Sequence, residues 1–358
     1  MTSLTSIPVV DVRAGGPVRH AIDGRARAQA LRDTCVAWFP VGTRRLVPVL
    51  DALARQWLTR SLSPYVHEVR IIAEALGIPG VWFLNGSYQW CCTALAREED
   101  KVPWLARTLD WPFPGLGQHV EIARMQGAAG HFLNITWPGY VGTLSAMAPG
   151  RFAAAINQAP LWRRTRQPWL RGYDLVANAI STLLNVRQIP PDQLLRDVFE
   201  NCRTFGEARH RLETTPLARP VIYMLVGCEA GERCLIERTE DTFVTYRDET
   251  VAANDWLHSS SPWEARVGAG QAFTCSFEQA ADNSRMRREA LSGWVGRFAD
   301  NSFAWVSPPV LNRYTRVAVE MCPASGTLRA IGFERLPDID LPQPVTLPCE
   351  LTPERLAA

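Results

Sequence analysis

Apolar positions recur at three- and four-residue spacing through the first ninety residues. Leu46, Val49, Leu50, Leu53, Trp57 and Leu58 form one series, and Val69, Ile72, Ala73 and Leu76 form another. That spacing predicts amphipathic helices. Gly77 and Pro79 end the second series, as helix-terminating residues do. The apolar run Val81-Trp-Phe-Leu-Asn85 predicts a short buried strand leading into Tyr88-Gln-Trp-Cys-Cys-Thr93.

The pattern then changes to strands and turns. Residues 92–96 and 104–109 predict a hairpin pair closed by the charged turn 97–101. Strands are expected at 120–125, 131–137, 142–147 and 152–157, and helices at 173–184, 192–201 (after Pro190-Pro191) and 204–212. Strands return at 221–228, 234–238 and 242–251, and residues 283–299 predict a helix. A last hairpin, 315–321 with 327–333, turns at Ala324-Ser-Gly326. Beyond Leu336, the prolines at 337, 342, 344, 348 and 353 predict an extended tail over the surface. The pattern as a whole predicts an α+β chain, with sheets covered by helices and an added helical N-terminal piece.

Composition narrows the function classes. With 47% hydrophobic and 21% charged residues over 358, the chain can bury a core large enough to offset chain entropy, which excludes disorder as its main state. A formal charge of +2 supplies no field for nucleic acid or an anionic membrane. Lys101 is the only lysine among 38 basic residues, which reads as codon bias and not as phosphate binding. No apolar run reaches the length of a membrane span, so stable membrane insertion is not expected. The N-terminus lacks the basic, apolar and small-residue regions of a secretory signal, and a cytoplasmic location is expected.

Nine cysteines without a C-x-x-C pair argue against a structural zinc or a thioredoxin-type site. In a reducing compartment most are packed thiols. There is no G-x-S-x-G elbow, phosphate-binding Gly-rich loop, H-E-x-x-H or G-x-G-x-x-G. The six histidines are dispersed, with His131 in a strand and His20 in a polar loop. No metal or cofactor is expected. The basic cluster Arg163-Arg-Thr-Arg166 with Arg171 reads equally as an exposed loop or as a contact for an acidic substrate group.

The segment from Leu84 to Phe113 stands out. Cys92-Thr93 opens one strand of the hairpin, and Arg107 and Asp110, 15 and 18 residues further on, close the other. A hairpin folds both back beside the thiol. A guanidinium beside a thiol favours the thiolate, and a carboxylate beside a newly exposed α-amine orients that amine as general base. The same residues also fit a surface Arg–Asp pair beside a buried cysteine.

Leu84-Asn85 with Tyr88, then Cys92-Thr-Ala-Leu95 and Arg107-Thr-Leu-Asp110-Trp-Pro-Phe113, resembles the acid ceramidase and N-acylethanolamine acid amidase family. Those enzymes are N-terminal-nucleophile (Ntn) hydrolases, as are the choloylglycine (bile-salt) hydrolases and the cysteine penicillin acylases. Similar stretches follow in order: Trp137-Pro-Gly-Tyr-Val-Gly142, Asn157-Gln-Ala-Pro160, Ala252-Ala-Asn-Asp255, Asn283-Ser-Arg-Met-Arg287 as a helix start, and Pro309-Val-Leu-Asn312.

The resemblance implies a four-layer α/β/β/α sandwich made as a precursor that cuts the bond before its own nucleophile. Residues 1–91 become a helical pro-segment or small subunit, 92–336 the catalytic domain, and 337–358 the Pro-rich tail. By the same resemblance Cys92 is the nucleophile, Arg107 sits by the thiolate, Asp110 holds the α-amine, Asn254 donates to the oxyanion and Arg287 ties the site together. Asn157, Tyr140 and Trp111 are implied on the substrate side. One residue then supplies both thiol and base, which fits the lack of a Cys–His pairing.

Three features depart from the family pattern. The hairpin is one residue short, so Cys91 matches the distance to Arg107 better, whereas Cys92 matches the Cys-Thr motif and the strand alternation. Thr108 stands where relatives carry Asn. Arg285 and Arg288 offer alternatives to Arg287. The expected activity is hydrolysis of a linear amide, a small-molecule N-acyl compound with an apolar acyl chain, through an acyl-enzyme. Two alternatives stay open: acyl transfer on the same fold, and an unprocessed, non-catalytic binding relative. Tryptophans at 90, 104, 111 and 137 suggest an aromatic acyl pocket, although tryptophan also fills cores.

Overall fold

The computed structural model describes residues 4–86, 91–185, 187–248, 251–258, 261–268, 274–300, 302–336 and 338–357. Tyr88, Trp90 and Pro337, named above, lie outside them.

The chain begins with a short strand, β1 (Val9–Asp11), which the sequence pattern did not predict. Five helices follow: α1 (Gly16–Asp23), α2 (Arg25–Trp38), α3 (Val47–Arg60), α4 (Val66–Leu76) and α5 (Val81–Gly86). Next come β2 (Cys91–Glu99), β3 (Val102–Asp110), β4 (Glu121–Gly127), β5 (Gly130–Thr136), β6 (Ser145–Ala148), β7 (Phe152–Gln158) and β8 (Leu161–Trp162). The middle is helical, with α6 (Arg171–Asn185), α7 (Pro191–Asn201) and α8 (Phe205–Thr214). Then come β9 (Val221–Val226), β10 (Arg233–Arg238), β11 (Phe243–Tyr246), β12 (Val251–Ala252), β13 (Trp263–Glu264), α9 (Phe277–Ser292), β14 (Thr315–Cys322) and β15 (Thr327–Glu334). The tail forms β16 (Gln343–Pro344), β17 (Cys349–Leu351) and α10 (Pro353–Ala357).

Two sheets carry the fold. One has the order β1-β4-β5-β6-β7-β9-β10-β11, and the other β12-β2-β3-β14-β15-β16 with β17 also on β15. Strands β2 and β3 pack face to face against β7 and β9, α7 and α8 cover the first sheet, and α9 covers the second. The layers are therefore α/β/β/α, the four-layer order that the sequence resemblance implied.

Strand alternation divides the second sheet between two cores. Cys92, Ala94, Ala96, Leu105 and Leu109 face the inter-sheet core, while Leu95, Trp104 and Ala106 face the α9 side. Strand β7 is buried along its whole length, as a strand covered on both faces must be.

The N-terminal helices build their own core around Trp57, Leu58, Val69, Ile72 and Trp82, with Val141 and Ala218 of the sandwich joining it. Helix α4 ends where predicted, with Gly77 at φ 64. His20 lies in α1 and not in a polar loop. It is buried, 2.7 Å from Glu121 of β4.

Residues 81–85 form helix α5, not the predicted strand. A five-residue apolar run fits either state. Here Asp51 of α3 accepts the backbone N–H of Phe83 at 2.9 Å, capping the helix. Helix α9 starts at Phe277 because Ser276 and Gln279 form a capping box, and it stops at Gly293, so residues 283–287 lie within it and not at its start. The strand expected over 242–251 divides into β11 and β12, one in each sheet. The tail does not simply lie over the surface, because β16 and β17 pair with β15. Among the described residues no helix is long and apolar enough to cross a membrane.

Candidate active site

The β2–β3 register sets the site. Cys91 pairs with Asp110, Cys92 with Leu109, and Ala94 with Arg107. Cys92 and Arg107 therefore project to the inter-sheet face, and Cys91, Thr93 and Asp110 to the α9 face.

On the inter-sheet face, Arg107 Nη2 donates to Cys92 Sγ at 2.8 Å and to the Ile156 carbonyl at 2.9 Å, while Nη1 donates to Ser145 Oγ at 3.0 Å. The guanidinium is thus aimed by β6 and β7. Cys92 is fully buried. Burial pushes its thiol up, and Arg107 opposes that shift. Burial also pushes the Cys91 thiol up, to about 12.

On the α9 face, Arg287 Nη1 donates to the Cys92 carbonyl at 2.9 Å and to Thr93 Oγ1 at 3.0 Å, and lies 3.8 Å from Asp110. Asp110 accepts from Thr315 Oγ1 at 2.9 Å and Asn312 Nδ2 at 2.7 Å. Burial raises the Asp110 carboxyl, against Arg287 and these two donors.

Asn254 follows β12 and joins the two faces. Its Oδ1 accepts the Cys92 backbone N–H at 2.9 Å and both Nη atoms of Arg287 at 3.2 Å, while Nδ2 donates to the Gln158 carbonyl at 2.9 Å. The amide orientation is fixed by these partners, and one N–H of Nδ2 remains beyond the Gln158 bond. Asn157 Nδ2 donates to the carbonyls of Ala252 and Ala253, and its buried Oδ1 has no hydrogen-bond partner among the described residues.

The structure thus brings Cys92, Arg107, Asp110, Asn254, Arg287 and Asn157 together. Arg285 is solvent-facing and pairs with Asp282 on its own helix. Tyr140 is buried, with its hydroxyl donating to Asp192 at 2.7 Å, and it lines the adjacent cavity. Trp111 lines the same cavity. Ser145, Thr93, Thr315 and the Gln158 carbonyl were not anticipated. Asn312 fell in a noted motif but without a role. Thr93 alone carried a local signal, because it shares its strand face with Asp110.

A cavity of about 480 Å³ lies between the N-terminal helices and the sandwich, lined by Trp38, Leu50, Leu84, Trp111, Trp137 and Tyr140 among others. A smaller one of about 250 Å³ is lined by Cys91, Asp110, Gln158, Arg171, Arg266 and Tyr314. Pro112 borders both. Trp104 instead stacks on Phe298 on the α9 side, away from these cavities. The basic cluster is exposed only in part, at Arg164 and Arg166. Arg163 and Arg171 are buried, Arg163 pairing with Asp174 and Glu264, and Arg171 with Glu264. Among the described residues no group of His, Cys, Asp and Glu is placed to hold a metal ion.

No protein-family model matches the chain. It is 25% identical over 186 residues to the N-acylethanolamine-hydrolyzing acid amidase of Oryctolagus cuniculus, covering 50% of this chain and 48% of that protein. It is 28% identical over 221 residues to a probable acid ceramidase of Caenorhabditis elegans, covering 55% and 52%. The chain therefore spans about half the length of the curated relatives it matches. Among solved structures it is similar to a Caenorhabditis elegans ortholog of the N-acylethanolamine-hydrolyzing acid amidase, at 18% identity and TM-score 0.48 over 69% of this chain and 94% of that one. It is also similar to a mutant of the conjugated bile acid hydrolase of Clostridium perfringens, at 10% identity and TM-score 0.40 over 74% and 93%. The chain is thus related by sequence to the acid ceramidases and N-acylethanolamine-hydrolyzing acid amidases, the family that its residues between Leu84 and Asn312 resemble.

Proposed function

We propose that the protein is a cysteine Ntn amidohydrolase that cleaves itself before Cys92 and then hydrolyses linear N-acyl amides. The observation that carries this reading is the double engagement of Cys92: Sγ on Arg107, and backbone N on Asn254 Oδ1. Cleavage leaves a free α-amine at a position already met by an acceptor, on the residue whose thiol already meets a cation.

In self-cleavage, Sγ attacks the Cys91 carbonyl carbon, the C–N bond to Cys92 breaks, and water releases Cys91 as a carboxylate. In turnover, the α-amine takes the thiol proton as Sγ attacks the substrate carbonyl. The amine then protonates the leaving nitrogen, and water opens the thioester. The free N–H of Asn254 stabilises the oxyanion, and Asn157 Oδ1 accepts the substrate N–H. Asp110 holds the α-amine as its base form is regenerated, and Arg287 fixes Asn254 and the Cys92 carbonyl. The apolar cavity under the N-terminal helices favours an apolar acyl chain, so residues 1–91 contribute to substrate binding even after cleavage. The nine cysteines are all free thiols, in keeping with a reducing, cytoplasmic setting.

The test is hydrolysis of a long-chain N-acyl amide of a fluorescent aromatic amine, with rapid acid quench and peptide mass analysis. The expected result is amine release, with the acyl group trapped on the peptide beginning at Cys92. Absence of both, or acylation of another cysteine, contradicts the assignment.

A further inference from the structure

Helix α5, the described element that precedes the proposed scissile bond, is held by a residue that the mechanism above does not use. Asn85 lies in the last turn of α5, seven residues before Cys92, and is 2% exposed. Its Nδ2 donates to the carbonyls of Val81 and Gly139, both at 2.9 Å, and its Oδ1 accepts the backbone N–H of Val141 at 2.8 Å. One side chain therefore ties the end of α5 to the backbone of the sandwich segment Trp137–Gly142 on both its donor and its acceptor side.

That segment is a firm anchor. Arg196 of α7 donates to the Val141 carbonyl at 3.1 Å and is itself paired with Glu68 and Glu200. Tyr140 donates to Asp192, and the Asp192 carbonyl accepts the Thr143 N–H at 3.0 Å. Gly139 sits at φ +93, and a Cβ on Gly142 would fall 2.1 Å from Asp192 Oδ2, so both glycines are required by this geometry. The other end of α5 is fixed by Asp51 on Phe83 N–H.

We propose that Asn85 is a positioning residue for self-cleavage, anchoring α5 to residues 139–141 so that the Cys91–Cys92 bond is presented to Sγ of Cys92. The inference rests on the self-processing reading. It separates two demands on the precursor: the scissile bond must be presented by the chain before it, while turnover of the cleaved enzyme needs only the residues around Cys92 and the cavity.

The test follows cleavage of the full-length chain by intact mass over time, for wild type, Asn85→Ala, Asn85→Asp and Cys92→Ala, with amide hydrolysis measured per cleaved molecule. Asn85→Ala is expected to slow cleavage about 10- to 100-fold, the cost of a small misplacement of reacting groups. Because α5 and Gly139 line the cavity, its cleaved molecules are expected to show a raised KM, with kcat within about twofold of wild type and a loss in turnover well below the loss in cleavage. Asn85→Asp keeps the acceptor for Val141 but sets a carboxylate against two carbonyls. It is expected to cleave slowly at neutral pH and to recover on acidification, when the protonated carboxyl again donates.

Wild-type cleavage rates in Asn85→Ala, or equal losses in cleavage and in turnover per cleaved molecule, overturn the proposal. If Asn85→Ala does not fold, the pH profile of Asn85→Asp decides, and a profile parallel to wild type overturns it. A wild-type chain that never cleaves, or a Cys92→Ala chain that does, overturns the self-processing reading itself and is recognised separately from a failure confined to Asn85.

Discussion

Arg107 reaches Cys92 across the hairpin from the position opposite Ala94, placing Nη2 2.8 Å from Sγ while its other bonds go to Ser145 and the Ile156 carbonyl. The cation is thus held by the opposite sheet and not by the thiol alone. Arg107→Ala should reduce processing and turnover about 100- to 1,000-fold, the range seen when one preorganised electrostatic partner is lost. The thiol should also ionise at higher pH, read as an upward shift in the pH profile of alkylation in the processed enzyme. Unchanged alkylation and turnover would show that the guanidinium is structural.

Asp110 and Arg287 make a second test. Asp110→Asn keeps one of the two oxygens that accept from Thr315 and Asn312, replaces the other with an amide donor, and removes the charge facing the α-amine and Arg287. Turnover should fall about 100-fold, because the α-amine that serves as base loses the carboxylate that holds it, with the far-ultraviolet circular dichroism spectrum unchanged.

Arg287 and Arg285 separate cleanly, because one is buried against Cys92 and the other is in solvent. Arg285→Ala should change stability by no more than about 0.5 kcal/mol and leave activity intact. Arg287→Ala strands Asp110 and should cost roughly 3 kcal/mol in denaturant unfolding, with loss of processing. Equal effects of the two substitutions would overturn the assignment of Arg287.

Much of this was legible in the sequence. The hairpin could be read because apolar alternation and a charged turn are local signals, and the same alternation separated Cys92 from Cys91. What could not be read depends on distant partners. Ser145 and Thr315 join the site through tertiary contact. Arg163 and Arg171 could be read as an exposed loop or as a substrate contact, but not as a buried ion-pair cluster, because Glu264 lies 101 and 93 residues away. Helix α5 was mistaken for a strand because its cap, Asp51, sits 32 residues earlier, on α3. Strand β1 has three residues and is defined only by its parallel pairing with β4.

Asp192 gives the chain a pH dependence outside the site. Burial raises its carboxyl to about 6, against hydrogen bonds from Tyr140 and backbone N–H groups. A raised carboxyl binds its proton more tightly in the folded state. Its contribution is therefore fully present below the ordinary value of 3.8 and is lost as pH rises through 6. The difference in unfolding free energy between wild type and Asp192→Asn should change across that window by up to about 3 kcal/mol, the equivalent of the shift. A flat difference curve would show that Asp192 is not the titrating group.

The most direct measurement is the intact mass of the purified protein, with N-terminal sequencing, for wild type, Cys92→Ala and Cys91→Ala, including incubation at mildly acidic pH. The predicted result is two fragments, the larger beginning at Cys92, in wild type and Cys91→Ala but not in Cys92→Ala. A split before Cys91 would move the nucleophile by one residue. A chain that stays intact under every condition would contradict the processing mechanism and leave the sandwich as a binding fold.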